Sequence, residues 1–310
     1  MASPKRFLTA VASPLLILCL VSGSAAQVED QLSNYSGDNA TGYLQPLADG
    51  VGADLNSGLF HSAYIPKTDM YLRFEVRMMS ARFGNDDKTF EATTEGDFLP
   101  QKTAETSTVV GPGDATIVDG QAGTSFIFPG GFDIGALTLA TPQLRIGSYM
   151  GTEALIRYIA VDIGDVELGN ISLFGFGLRH SISQYLDPAF PVALSGGFFW
   201  QSFKIGENAA GGDLMKSSAL SIGAQASKRF AYGILFIEPY TGLSLDRSSM
   251  EVAYESDASG DAEAINLDFG TDSSVRFTVG LALNLPAVNG HVEYSLAGMS
   301  SFSFGVSIGN

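Results

Sequence analysis

The strongest constraint on this chain is a strict alternation of side-chain character in residues 71–79, YLRFEVRMM. Leu72, Phe74, Val76 and Met78 are apolar, and three of the positions between or beside them carry a charge. Successive side chains of a β-strand point to opposite faces, so this period of two predicts a strand with one apolar and one charged face. In a soluble sheet the apolar face packs on a core, whereas in a membrane barrel it contacts lipid and the charges face the lumen.

The N-terminus has the features of an export signal. Lys5 and Arg6 precede an apolar run over residues 7–20, and small residues follow at 24–26. This pattern predicts a cleaved secretory signal peptide over residues 1–26. Cys19, the single cysteine of the sequence, falls within it, so we expect no thiol or disulfide chemistry in the mature chain.

The mature chain is acidic, which bounds its partners. The sequence has 17 Lys and Arg against 33 Asp and Glu, and loss of Lys5 and Arg6 takes the net charge from −16 to −18 because residues 1–26 hold no acidic residue. Nucleic-acid binding needs a basic surface, so we expect none. No later apolar run approaches the roughly 18 residues that a membrane helix requires. An exported chain with positive mean hydropathy and abundant glycine is typical of a transmembrane β-barrel, and a soluble secreted β-protein is the alternative.

The alternation recurs and predicts an all-β fold, an antiparallel transmembrane β-barrel of about ten strands (alternatives 8–14) over residues 67–310. Short and long connections alternate, which is typical of outer-membrane barrels with the short turns in the periplasm. An even strand number would leave both ends of the barrel chain in the periplasm. The predicted strands are 70–83, 136–149, 153–162, 170–183, 192–205, 216–228, 233–247, 265–285, 291–297 and 301–309.

Residues 27–66 differ in pattern and are predicted to form an N-terminal segment, a periplasmic arm or a plug at the barrel mouth. Its apolar residues have a near-helical spacing, and Pro46 is compatible with the first turn of one short helix. A loosely packed arm is the alternative. The candidate plug residues are Tyr43, Leu44, Leu47, Val51 and Leu55.

If the apolar faces contact lipid, a nearly neutral set of charges must point into the lumen. A barrel of about ten strands has little room beyond its own side chains, so we expect a salt-bridged polar core that fills the lumen. A selective path or ligand pocket among the same residues is the alternative. We expect Arg73 and Arg77 to face Glu153, Glu238 or Glu293. The candidate lumen network is Arg73, Glu75, Arg77, Arg145, Glu153, Arg157, Glu238, Tyr240, Arg276 and Glu293.

Aromatic residues near the predicted strand ends suggest girdles at the membrane surfaces, although β-propensity alone also enriches aromatics in strands. The candidates are Tyr149, Tyr158, Tyr185, Phe190, Trp200, Phe203, Phe230, Tyr232 and Tyr254.

Signs of catalytic chemistry are weak. His291, Glu293 and Ser295 share the predicted inward face, but no nucleophile-elbow motif accompanies them, so an outer-membrane hydrolase ranks last. The acidic loops include Asp162, Asp165 and Glu167, weak candidates for metal ligands for which a solvated acidic surface is the simpler interpretation. We expect no cofactor.

The segments GYLQPLADGVGADLNSGLFHSA, LRIG…GTEALIRY and GFGLRHSISQYL…PVALSGGFFWQSFKIG resemble an uncharacterised family of bacterial outer-membrane barrel proteins, described as a domain of unknown function. The resemblance implies a bacterial outer-membrane location, contacts with lipid and lipopolysaccharide, and insertion by the barrel-assembly machinery. It also invites a loose comparison with fatty-acid-channel barrels, where an N-terminal segment plugs the barrel. The expected role is a structural or binding barrel, with a passive transporter of small hydrophobic or amphipathic molecules, gated by the N-terminal segment, as the alternative.

Overall fold

The computed structural model describes residues 35, 37–162, 170–206, 213–256 and 263–309. The predicted signal peptide, most of residues 27–36 and two of the three weak metal candidates, Asp165 and Glu167, lie outside the described residues. No helix in the part of the chain that the structure describes is long and apolar enough to span a membrane.

Ten antiparallel strands form a closed barrel, which confirms the predicted fold class. The barrel strands are β1 (Tyr71–Arg82), β6 (Ala136–Tyr149), β7 (Thr152–Asp162), β8 (Asn170–Ser181), β9 (Ala193–Ile205), β10 (Met215–Ser227), β12 (Leu235–Ser256), β13 (Glu263–Asn284), β14 (Val288–Leu296) and β15 (Ser301–Gly309). Neighbours along the sheet follow chain order, β1 pairs with both β6 and β15, and the pairing of β10 with β12 closes the ring. Each predicted strand is present within a few residues, except that β12 ends nine residues beyond its predicted end at 247.

The faces of β1 are distributed as the alternation requires. Leu72 is 52% exposed and Phe74 is 48% exposed on the outside of the barrel, whereas Glu75 and Arg77 are fully buried inside it. The other barrel strands show the same alternation of buried and exposed positions. The barrel therefore has an apolar outer surface, the opposite of a soluble β-sandwich.

The two ends of the barrel have different connections. One end, here called the short-turn mouth, carries tight turns such as Met150–Gly151, where both residues have positive φ (50° and 74°), as a two-residue hairpin turn requires. The small strand β11 (Phe230–Tyr232) also lies there, paired with the start of β12. The other end, the long-loop mouth, carries the insert between β1 and β6. This insert folds into two hairpins, β2 (Thr89–Thr93) with β3 (Thr103–Ser107), and β4 (Thr116–Asp119) with β5 (Ser125–Phe128).

One α-helix of the described residues, α1 (Gly37–Leu55), lies inside the barrel. It begins beside the hairpins of the long-loop mouth, where the Asn39 side chain bonds the backbone of Thr93, and residues 56–70 then continue to the start of β1 at the opposite mouth. The helix starts six residues before Tyr43, so Pro46 is its tenth residue and the expected first-turn position is wrong. The helix continues through Pro46, whose missing N–H removes one hydrogen bond from its interior.

The interior has two layers, which corrects the expectation of a polar lumen throughout. Towards the long-loop mouth the inward side chains are apolar and pack on α1, and towards the short-turn mouth they are charged or polar. Two predicted girdle residues, Phe203 and Tyr254, belong to the apolar layer and point inward, because the helix supplies an apolar partner that the sequence pattern does not reveal. The barrel side of this layer includes Met79, Leu137, Leu139, Ile159, Leu173, Phe203, Met250, Val252, Tyr254 and Phe269.

Candidate functional site

The ten candidate lumen residues all lie on inward positions of the barrel strands. Nine of them are no more than 4% exposed, and Arg73, which lies nearest the short-turn mouth, is half-buried. Neighbouring strands bring most of their side chains together in the half of the barrel that is nearer the short-turn mouth. The buried members are Glu75, Arg77, Arg145, Glu153, Arg157, Glu238, Tyr240, Arg276 and Glu293.

Glu75 is the centre of the densest group of charges. Its Oε1 lies 2.9 Å from Arg77 Nε and 3.1 Å from His291 Nε2, and its Oε2 lies 3.1 Å from Arg145 Nε. Arg77 therefore pairs with a residue two positions away on its own strand, and the expectation that it pairs with Glu153, Glu238 or Glu293 is wrong. Side chains at i and i+2 share one face of a strand, and no other carboxylate has to reach across the lumen.

Three further ion pairs each involve a residue that the sequence analysis missed. Arg179 bonds Glu153 at 2.9 Å, Arg229 bonds Glu238 at 3.0 Å, and Arg276 bonds Asp246 at 2.5 Å. Strand parity could have found Arg179 and Asp246, since both alternate with outward apolar residues. Arg229 lies in the connection after β10, where no period applies.

Unlike the arginines of these ion pairs, Arg157 binds the backbone of the N-terminal segment. Its Nη2 donates to the carbonyl oxygens of Ser57 at 3.1 Å and Gly58 at 2.8 Å, and its Nη1 donates to that of Leu55 at 3.4 Å. Its Nε donates to Gln143 Oε1 at 2.8 Å. The last carbonyls of a helix have no partner within the helix, so a guanidinium placed there satisfies them and also opposes the negative end of the helix dipole.

Other lumen side chains hold the same stretch of backbone. Arg276 donates to the carbonyl of Ala53 at 3.4 Å, Arg77 donates to that of Phe60 at 3.1 Å, and Gln201 donates to that of Leu55. The N–H of Gly58 donates to Glu293 Oε1 at 2.6 Å. The last turn of α1 has no basic residue of its own, so the barrel wall supplies its cap.

The short-turn end of the segment is anchored by side chains. Arg179 Nη1 lies 2.7 Å from His61 Nε2, Ser62 Oγ donates to Glu238 Oε1 at 2.6 Å, and the N–H of Ala63 bonds Ser227 Oγ at 3.0 Å. The segment from residue 53 to residue 63 is thus bonded to strands around the ring.

The candidate plug residues lie on α1 and form the inner side of the apolar layer. Tyr43, Leu44, Val51 and Leu55 are buried, and Leu47 is half-buried against the same cluster. The Tyr43 hydroxyl donates to the carbonyl of Gly130 in the insert at 3.0 Å. The part of the lumen nearer the long-loop mouth is therefore occupied by the helix, which also contacts the insert between β1 and β6.

Asp54 is the exception within α1. It is fully buried, and neither of its carboxylate oxygens forms a hydrogen bond of normal geometry with the residues that the structure describes. A charged carboxylate that is buried without such a partner is unfavourable.

Two cavities among the described residues lie at opposite ends of the barrel. The cavity at the short-turn mouth has a volume of about 310 Å³, and the one at the long-loop mouth, beside Asp246 and Arg276, has a volume of about 280 Å³. The layer of Arg77, Arg157 and residues 55–60 lies between them.

Within the described residues, the candidate catalytic residues do not form a triad and the acidic side chains do not form a metal site. His291 is held by Glu75, and within the described residues no serine hydroxyl hydrogen bonds to it. The described ranges contain no group of three or more His, Asp or Glu side chains that could hold a metal ion, and of the weak candidates only the backbone of Asp162 is described.

Comparison with known proteins identifies the family. The model of the Family of unknown function (DUF6588) matches residues 5–310, so the chain belongs to this family, and the resemblance noted from the sequence is confirmed. No curated protein sequence matches the chain.

Solved structures show weak likenesses. The outer membrane protease OmpT from Escherichia coli is 8% identical at a TM-score of 0.35, covering 79% of this chain and 97% of that one. The translocator domain of the autotransporter NalP from Neisseria meningitidis is 16% identical at a TM-score of 0.33, covering 87% and 99%. The fold assignment rests on the strand pairing of the chain itself.

Proposed function

We propose that this member of the DUF6588 family is a bacterial outer-membrane β-barrel protein with a structural or binding role, whose lumen is closed by its own N-terminal segment. The outer surface supports the membrane location. Large apolar side chains on every exposed face would be costly in water but suit the hydrocarbon of a bilayer. They include Leu72, Phe74, Phe174, Ile222, Leu243, Val275, Phe277, Phe302 and Phe304.

Exposed aromatics support a position of the short-turn mouth at a membrane surface, and its short turns support an orientation with this mouth in the periplasm. Tyr149, Tyr185, Phe190, Phe230 and Tyr232 are all exposed close to that mouth. Tyrosine and phenylalanine at this level suit the interface between hydrocarbon and headgroups, and short turns face the periplasm in barrels of this type. Export by the signal over residues 1–26, insertion by the barrel-assembly machinery, and contacts with lipid and lipopolysaccharide belong to the same proposal.

The main support for a closed lumen is the set of hydrogen bonds from Arg157 to the N-terminal segment. Its guanidinium donates to three backbone carbonyls within four residues, those of Leu55, Ser57 and Gly58, in the middle of the barrel. The barrel wall holds the N-terminal segment at mid-height, so the segment fills the lumen in the closed state. Apolar packing surrounds it towards the long-loop mouth, and ion pairs surround it towards the short-turn mouth. We interpret the ion pairs as a salt-bridged layer that fixes the segment in the lumen.

Conductance in planar bilayers tests the proposal. We expect no channel events from the full mature chain and stable channels from a chain that lacks residues 27–66, provided that it still shows heat-modifiable mobility on a gel. Channel events in the full chain would instead favour the gated transporter. A folded deletion chain that does not conduct would show that the barrel side chains, and not the segment, close the lumen.

Cell fractionation tests the location separately. We expect the chain in the outer-membrane fraction, extractable only by detergent. Recovery in the soluble periplasmic or secreted fraction would support the soluble alternative.

A further inference from the structure

The cavity at the short-turn mouth is rich in cationic side chains. It encloses about 310 Å³ between residues 61–71 and the ends of β1, β6, β13 and β14. Arg73, Arg145 and Arg229 line it, together with His61 and His291. That volume corresponds to about ten water molecules of the liquid, enough for a small organic anion.

The acidic side chains of the lining do not balance these cations. Glu153 accepts bonds from Arg179 at 2.9 Å and from the Tyr71 hydroxyl at 2.5 Å, and Asp69 is exposed at the rim. Arg145 is paired with Glu75 and Arg229 with Glu238, both outside the lining.

Among the arginines that line this cavity in the described structure, Arg73 is the one without a carboxylate partner. No Asp or Glu of the described ranges lies within ion-pair distance of it, and its Nε is buried without a hydrogen-bond acceptor. Its guanidinium lies 5.3 Å from the centre of the Tyr71 ring, and its Nη1 lies 2.7 Å from the side-chain oxygen of Asn289 in the orientation of that amide that satisfies its neighbours. Arg73 is therefore held in place with an unused donor beside the cavity.

The polar layer as a whole carries excess positive charge. It contains six arginines and four glutamates, a difference of two, with Arg157 bonded to carbonyls and Arg73 facing the cavity. A buried charge without a counter-ion is strongly unfavourable, so the layer would be stabilised by an anion at the cavity. The residues counted are Arg73, Arg77, Arg145, Arg157, Arg179 and Arg229 against Glu75, Glu153, Glu238 and Glu293.

We propose that this cavity binds an oxyanion, a phosphate or carboxylate group, through the fork of Arg73, with Arg145 and Arg229 contributing charge from the sides. The planar guanidinium presents paired N–H donors that match two oxygens of such a group, and Tyr71 behind it fixes the direction of approach. Because the cavity opens at the short-turn mouth, the anion is either a small solute or the headgroup of an acidic lipid.

Calorimetric titration of the full mature chain in neutral detergent tests the site. The probes are inorganic phosphate and citrate, with chloride at matched ionic strength as the blank, and mixed micelles containing phosphatidylglycerol or phosphatidylcholine. We expect phosphate, citrate or phosphatidylglycerol to bind above the blank, and Arg73→Gln to weaken that binding by at least about tenfold. Arg73→Lys keeps the charge but loses the planar guanidinium, so its affinity for the anion should lie between those of wild type and Arg73→Gln.

Arg82→Gln is the matched control, because Arg82 is exposed at the opposite end of the same strand and should leave binding unchanged. Binding of phosphatidylglycerol alone, still dependent on Arg73, would identify a lipid headgroup, and binding of the free anions would identify a solute. Heats equal to those of chloride for every probe, or full affinity in folded Arg73→Gln, would overturn the proposal. The titration needs no conductance, so its failure is distinguishable from that of the closed-lumen proposal.

Discussion

Arg157 Nη2 lies 2.8 Å from the carbonyl oxygen of Gly58, which joins the wall of the barrel to the segment that threads through it. Arg157 is fully buried, and in the described part of the chain no carboxylate lies within ion-pair distance of it. Its positive charge is therefore balanced by carbonyl dipoles and by the end of a helix. This makes the arginine specific for the segment, since a barrel without the segment would leave the charge unpartnered.

Replacement of Arg157 by methionine should release the segment. The change removes the donors to three buried carbonyls, and we expect a loss of about 3 kcal/mol in stability, with Arg157→Lys losing less because it keeps one bonded charge. The heat-modifiable transition on a gel measures the stability, and proteolysis between residues 55 and 66 measures release. Arg82→Met is the control for loss of an exposed arginine. If Arg157→Met has the same heat-modifiable transition as wild type, the hydrogen bonds of Arg157 do not hold the segment.

Replacement of Gly58 by alanine should also be destabilising. Gly58 has φ +70°, and an added Cβ would lie 2.9 Å from two carbons of the buried Arg77 side chain. The positive φ alone costs an alanine about 1–2 kcal/mol. The close contact of its Cβ with Arg77 adds to this cost, because Glu75 holds the Arg77 side chain in place.

Gly37→Ala separates the two effects. Gly37 has φ +51° with no atom near the added Cβ, so this variant has only the cost of the positive φ. If both variants melt at the same temperature, Gly58 is not in contact with Arg77 in solution.

Replacement of Asp54 by asparagine should stabilise the protein at neutral pH. Asp54 is fully buried, and neither carboxylate oxygen forms a hydrogen bond of normal geometry with the described residues. A charged carboxylate in this position is costly, whereas the side chain of asparagine has nearly the same shape and carries no charge.

We therefore expect Asp54→Asn to exceed wild type by at least about 1 kcal/mol at pH 7, and the difference to shrink below pH 4. Thermal unfolding in detergent across that range measures both. Asp38→Asn is a control, because Asp38 is exposed in the first turn of the same helix. A wild type that is more stable than Asp54→Asn at pH 7 would show that the carboxylate has a partner.

The path of the segment predicts that its two ends face opposite sides of the membrane. Asp38 is exposed near the long-loop mouth and Lys67 near the short-turn mouth, and the sequence has no cysteine after residue 19. In intact cells a membrane-impermeant maleimide should label Asp38→Cys, as it labels the insert control Asp97→Cys, but should label Lys67→Cys only after permeabilisation. Labelling of Lys67→Cys alone in intact cells would invert the proposed orientation.

The strands and their faces could be predicted because β-alternation is local. Leu72 and Phe74 are assigned to one face and Glu75 and Arg77 to the other by parity alone, whatever the rest of the chain does. The same rule could have assigned Arg179 and Asp246, so their omission reflects incomplete use of the pattern. The partner of Arg77 was predicted wrongly because parity identifies a face but not which neighbour on that face is nearest.

The two-layer interior could not be predicted from the pattern of the strands. Inward Met79 and Leu139 are apolar, and a position near the ends of the predicted strands favoured the membrane surface for Phe203 and Tyr254. Their burial depends on α1, which lies inside the ring and meets them from parts of the chain that are distant in sequence. A helix of 19 residues was visible in part from its spacing, but not where it packs.

The sequence by itself therefore determined a barrel of about ten strands with an apolar exterior, because each strand carries its own period. The tertiary structure decided which end of the lumen is apolar and which is charged, how the N-terminal segment passes through it, and why Arg157 and Arg73 lack carboxylates. These features depend on contacts between residues a hundred or more positions apart, such as Arg157 with Leu55. Which side chains are buried, and which charges have partners, is determined only when the ring of strands closes around the N-terminal segment.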